Sequence, residues 1–75
     1  MNKQRRKLIS ENINLLESIK NNIESILSDE EFSFDNMPEN LQGSLRGEEC
    51  EAAIDLLSDV INDLETCIGN LNEII

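Results

Sequence analysis

Histidine, tryptophan and tyrosine are absent, and the aromatic residues are Phe32 and Phe34 alone. Without histidine the chain lacks the commonest general base and a favoured zinc ligand. No nucleophile elbow and no phosphate-cradling glycine loop is present, and two helices form no cleft for a carboxylate pair. Catalytic, cofactor-binding and metal-binding residues are therefore not expected, and the reading is non-enzymatic. Proline occurs once and glycine three times, so the chain is not linker-like. No apolar run approaches the roughly 18 residues of a membrane-spanning helix. The basic start is followed by Ser10, Glu11, Asn12 and Asn14, which break any secretory core segment; cytoplasmic residence is expected. Only two cysteines occur, Cys50 and Cys67. Their positions on one predicted helix put them about 25 Å apart at about 1.5 Å per residue, too far for an intrachain disulfide. Two reduced, half-buried thiols are expected; the alternative is an intermolecular disulfide or redox role.

What the chain does have is negative charge. Its net charge is −10 over 75 residues. Lys3, Arg5, Arg6 and Lys7 stand without an acid among them; beyond them Lys20 and Arg46 face all sixteen acids, a net −14. So acidic a body repels nucleic acid and attracts basic protein surfaces, so direct nucleic-acid binding is not expected. A chain this short buries only about 60% of its unfolded surface, and such scaffolds lean on disulfides, metals or a partner subunit.

Apolar spacing predicts two amphipathic helices. The first spans about 3–31, on Ile9, Leu16, Ile19, Ile23 and Ile26, with Ile13 and Leu27 widening the stripe. Asn12 then falls in the apolar seam, either fixing register or lying wet near a frayed end. The second helix spans about 45–73, with Ser44 as N-cap. Cys50, Ala53, Leu57, Val60, Leu64, Cys67, Leu71 and Ile74 step by three and four, and Ile54, Ile61, Ile68 and Ile75 form a parallel column. Three apolar columns per heptad exceed what one companion helix shelters and suit a bundle of three or four helices. The expectation is a single all-α domain over 1–75. It is an antiparallel two-helix hairpin that dimerises into a four-helix bundle through Ile54, Leu57, Ile61, Leu64, Ile68, Leu71 and Ile75. In such a hairpin the basic start lies beside the C-terminal end of the second helix, where cations are favourable.

Residues 32–44 read as a structured connection. Asp35-Asn36 are turn formers, Pro38 drives Met37 out of the helical region and starts a short helical turn to Gln42, and Gly43 bends the chain. Phe32, Phe34, Met37 and Leu41 are expected to pack over the core. Glu51, Asp55, Asp59 and Asp63 make a ladder of like charge that is unfavourable along a helix. It is either a solvated face, a contact face for a basic protein or, least in keeping with a straight ridge, a cation site. Arg46, alone among acids, is a structural ion pair or turn cap, or an anchor for a partner.

The stretch Phe34-Asp-Asn-Met-Pro-Glu-Asn-Leu-Gln-Gly-Ser-Leu-Arg-Gly-Glu, followed by an acidic Ile/Leu-rich helix, resembles a group of short uncharacterised proteins of Gram-positive bacteria, their phages and mobile elements. That group shares an Asp-Asn-x-Pro-Glu-x-x-Gln-x-Ser turn between two helices. The resemblance covers about residues 29–75 and implies a helical hairpin. It transfers no catalytic residue; Asp35, Asn36, Pro38, Glu39, Gln42, Ser44 and Arg46 are its matching positions, closing the turn or forming a recognition surface. The functional expectation is an acidic interaction module that forms a homodimer and binds a basic protein. The alternatives are an inhibitor or antitoxin-like protein acting by nucleic-acid mimicry and a small DNA-binding regulator using residues 3–7.

Overall fold

No glycine or proline interrupts residues 3–35, and the computed structural model, which describes all of residues 1–75, carries one continuous helix through them, α1 (Lys3–Asp35). The Asn2 side chain accepts a hydrogen bond from Arg5 N at 2.8 Å and so caps an otherwise unpartnered amide. The helix runs past the expected end at 31 and takes in Phe32–Asp35. Those residues contain no breaker, and Phe34 still packs, half-buried, against the partner helix. It ends where Pro38 forbids helical backbone at Met37; the Asn36 side-chain amide donates to Phe32 O at 2.8 Å. A single turn, α2 (Glu39–Gln42), and a bend at Gly43 lead into α3 (Leu45–Asn72). Ser44 caps α3 as expected, its Oγ accepting from Gly47 N at 3.5 Å. Helix makes up all the regular structure; there is no strand, and no helix is long and apolar enough to cross a membrane.

The hairpin is held by one seam. In α1 the half-buried and buried positions, Ser10 apart, are 9, 13, 16, 20, 23, 27, 30 and 34; in α3 they include 47, 50, 54, 57, 61, 64, 68 and 71. Both sets alternate steps of three and four without a break, which is the geometry of two helices packed side by side. Lys20 and Glu30 hold seam positions that a count of apolar residues passes over. Lys20 lies 3.7 Å from Glu65 and 3.9 Å from Glu24 and spreads its aliphatic stem across the seam. The chain's four buried hydrophobic residues, Ile13, Cys50, Ile61 and Ile68, all lie in this seam.

The seam corrects several sequence expectations. Asn12 lies outside it, exposed, with its amide donating to Leu8 O at 2.8 Å; Ile13 takes the place assigned to it. Ile19 and Ile26 are exposed. Phe32 and Leu41 are exposed as well, while Phe34 and Met37 are half-buried. The connection thus closes the turn with backbone hydrogen bonds more than with apolar packing.

The hairpin is a rod, 58 × 15 × 12 Å, with a radius of gyration of 17.1 Å. A compact chain of this length would have about 11 Å. Its accessible surface is 5554 Å², against ~4,700 Å² for a compact monomer of this mass.

Candidate functional site

The turn gathers most of the motif residues. The Gln42 side-chain amide donates to Phe34 O and Met37 O, both at 3.1 Å, satisfying carbonyls at the end of α1. Ser44 Oγ donates to Leu41 O. Pro38 sits at the start of α2, where its missing amide costs nothing. Asn36, Pro38, Gln42 and Ser44 thus have places in the backbone framework. Asp35, Glu39 and Arg46 are exposed, and Arg46 forms no ion pair within 4.0 Å. Sequence reasoning missed Gly47. It is buried where α2 crosses α3, and a Cβ there would overlap the Gln42 carbonyl and lie 2.6 Å from Leu41 O. The available signal was a glycine in the first turn of a helix, where its low propensity calls for a packing reason.

Cys50 and Cys67 differ, contrary to the expectation that both are half-buried. Cys50 is buried in the seam and Cys67 is exposed. Cys50 Sγ lies 3.0 Å from Glu30 Oε1. That hydrogen bond, then burial and the charges of Glu30 and Glu51, push the Cys50 thiol up from 9.0 to about 11. The thiolate is the reactive form. In dilute protein at about pH 8, a disulfide reagent such as DTNB should therefore react first with Cys67. Cys50 should react only on unfolding, and Glu30→Gln should speed its modification without altering that of Cys67. Because the folded thiol holds its proton more tightly than the unfolded one, its contribution to stability is present below the unfolded value and lost as pH rises from 9.0 toward 11.

The residues expected to drive self-association lie mostly inside the hairpin. Ile54, Leu57, Ile61, Leu64, Ile68 and Leu71 occupy the seam with α1, while Ile75 is exposed beyond the end of α3. Exposed instead on α3 are Leu45, at 71%, Leu56, at 66%, Val60 and Cys67, with Ile74 just beyond its end; on α1 they are Leu8, Leu15, at 62%, Ile19, Ile26 and Phe32, at 71%. Phe32 and Leu45 point away from the partner helix near the turn, and the others form one stripe on each helix. At about 100° per residue, both stripes precede their helix's seam by about a quarter turn in the same rotational sense. Because the helices are antiparallel, an offset of the same sense on each puts both stripes on the same side of the hairpin.

The opposite side is polar throughout. It carries Asn14, Glu17, Asn21, Glu24 and Glu31 on α1, and Glu51, Asp55, Ser58, Asn62 and Glu65 on α3. At the turn end both sides are polar: Glu31, Asp35, Glu51 and Asp55 border the groove on one, and Ser33, Arg46 and Glu49 border the groove on the other. The acidic ladder is not a single ridge. Glu51 and Asp55 belong to the polar side, Asp59 points away from α1, and Asp63 reaches the rim of the apolar side; all four are exposed. No group of three or more Cys, Asp or Glu side chains is arranged to hold a metal ion.

Compared with protein-family models, curated proteins and solved structures, the chain shows no significant match.

Proposed function

We propose that this chain is a non-enzymatic, cytoplasmic interaction module that closes its apolar side against a second copy to form a four-helix bundle and offers its acidic side to a basic protein. The observation that carries this reading is the gathering of Leu8, Leu15, Ile19 and Ile26 of α1 and Leu56 and Val60 of α3 on a single side, with Phe32 and Leu45 at the turn end the exposed large apolar residues of these two helices that lie off it. Contiguous apolar strips of this kind mark interfaces, and a two-helix hairpin with one dry and one wet side is half of a helical bundle. The exposed surface points the same way: it exceeds that of a compact monomer by roughly 900 Å², close to the ~800 Å² that each partner of a stable pair buries. Membership in the hairpin group that the turn motif resembles belongs to the same proposal.

Light scattering coupled to size exclusion tests it. The chain should run at twice its 8.5 kDa. Ile19→Glu on the apolar side should return it to single mass while circular dichroism still reports helix, and Asn21→Glu on the polar side should leave the pair intact. A native chain that stays at single mass across the concentration range would refute the reading.

A second reading draws on the polar side, where Glu31, Asp35, Glu51 and Asp55 line up along one groove. Such a row mimics a phosphate backbone and fits an inhibitor that occupies a nucleic-acid-binding site. Its binding to a basic protein would then weaken steeply with salt and yield to added DNA or RNA.

A further inference from the structure

The exposed stripe of α1, read through all its positions, is Arg5, Leu8, Asn12, Leu15, Ile19, Asn22, Ile26, Asp29. All eight are exposed, and they are spaced by alternating steps of three and four that are the same from either end. Their chemistry is also symmetric about residue 17. Turned end for end against itself, the stripe sets Leu8 against Ile26, Asn12 against Asn22 and Leu15 against Ile19. At the outside it sets Arg5 against Asp29, a cation against an acid.

The two ends of the hairpin carry opposite charge. Lys3, Arg5, Arg6 and Lys7 occupy the open end, and none of them forms an ion pair within the chain. At the turn end, residues 29–51 hold eight acids and one base, Arg46, a net −7.

We infer that the second copy lies with its turn at the opposite end, so that α1 packs antiparallel on α1 of its partner in the register Leu8 on Ile26. This rests on the proposed pairing and names its geometry. Two ways of stacking one hairpin on another by a twofold axis leave all neighbouring helices antiparallel. With the turns at the same end, α1 of each copy lies over α3 of the other, and the two acidic turn ends coincide. Placing the turns at opposite ends lays each basic tip on the other copy's acidic turn and α1 on α1. Like charges brought together cost free energy and opposite charges gain it, so the charge distribution selects the second arrangement. The symmetric stripe is what that arrangement requires, since a twofold interface brings each residue to its counterpart in reverse order. Asn12 and Asn22 meet as amides able to bond each other, so the polar interruptions coincide and fix the register. The α3 stripe follows from the hairpin's own register, which the short Cys50 side chain fixes against the Glu30 backbone and carboxylate. With Cys50 level with the Glu30 backbone, it sets Val60 against Cys67, Leu56 beside Asn70 and Asp63 near its own counterpart, so α1 supplies the larger share of the apolar contact.

Mixing two single variants tests the arrangement. Leu8→Glu and Ile26→Lys each place a charge opposite an apolar residue, twice per pair, and each variant alone should run at single mass. Combined in equal amounts they should form a pair at twice 8.5 kDa. In that mixed pair the carboxylate introduced on one copy faces the ammonium introduced on the other, and the second contact is native. Positions 8 and 26 are too far apart along α1 for the two charges to compensate within one chain. Native chains that pair while the mixture stays at single mass would overturn the end-to-end arrangement and leave the interaction module standing. A native chain at single mass would overturn both. A reporter adds an independent measurement: with Cys67→Ser and a spin label on Asn40→Cys, the two turns should lie more than ~50 Å apart, from the ~1.5 Å rise per residue of α1. A short distance would indicate turns at the same end and refute the inference.

Discussion

Ile61→Ala is expected to cost ~2–3 kcal/mol, at the lower end of the range for large-to-small changes in a core because the seam is only one layer deep. Ile61 is 9% exposed and lies near the middle of that layer. A chain of this length has about 4–11 kcal/mol of stability in all, so the loss is a large share of the total. Urea unfolding followed by helical circular dichroism, at one fixed protein concentration, should show the midpoint fall. Phe32→Ala removes a bigger side chain, yet Phe32 is 71% exposed and belongs to neither the seam nor the apolar side, so that variant should stay within ~0.5 kcal/mol of the native chain. Equal effects from the two would mean that Ile61 does not lie between the helices. Ile61→Asp should abolish the helical signal, since it sets an unpaired charge between two helices.

Gly47→Ala should be worse than its single added methyl implies. The methyl group would lie inside van der Waals contact with backbone atoms, the Gln42 carbonyl and Leu41 O, and backbone cannot step aside as a side-chain end can. Relief requires α2 to lift from α3. That movement would break the Gln42 bonds to Phe34 O and Met37 O. A loss of about 3 kcal/mol is expected, at the upper end for overpacking. The same change at Gly69, which has open space around it in the last turn of α3, should stabilise by up to about 0.5 kcal/mol. Thermal melts of the two variants should therefore shift in opposite directions. A stabilising Gly47→Ala would show that the close approach of α2 to α3 does not exist.

Much of the hairpin was legible in the sequence: two helices, a short helical turn after Pro38 and the cap at Ser44 all follow from local chemistry. The choice of which apolar column faces inward was not. The second helix offers Ile54/Ile61/Ile68, Leu57/Leu64/Leu71 and Val60/Cys67/Ile74, and periodicity treats these columns alike. The first two turn inward because α1 presents a matching seam only when Lys20 and Glu30 are counted in it. One is amphipathic, with an apolar stem, and the other is held by the Cys50 thiol. Neither registers in a search for apolar residues. The same blindness displaced the seam of α1 by a residue, putting Asn12 where Ile13 belongs. The turn motif was legible as a pattern; its most constrained neighbour, Gly47, was not, because the atom it excludes belongs to a carbonyl brought close only by the folded turn.

The division of the rod into a wet and a dry side has an evolutionary reading. Residues such as Asn14, Asn21, Asp55 and Asn62 are exposed on the wet side and can drift freely among polar types. In the end-to-end pair proposed above, drift along the apolar side would be tolerated only with a matching change at its mirror position: Arg5 with Asp29, Leu8 with Ile26, Asn12 with Asn22. Descendants of this sequence should therefore carry correlated substitutions at pairs whose numbers are far apart and whose side chains never meet within a single chain.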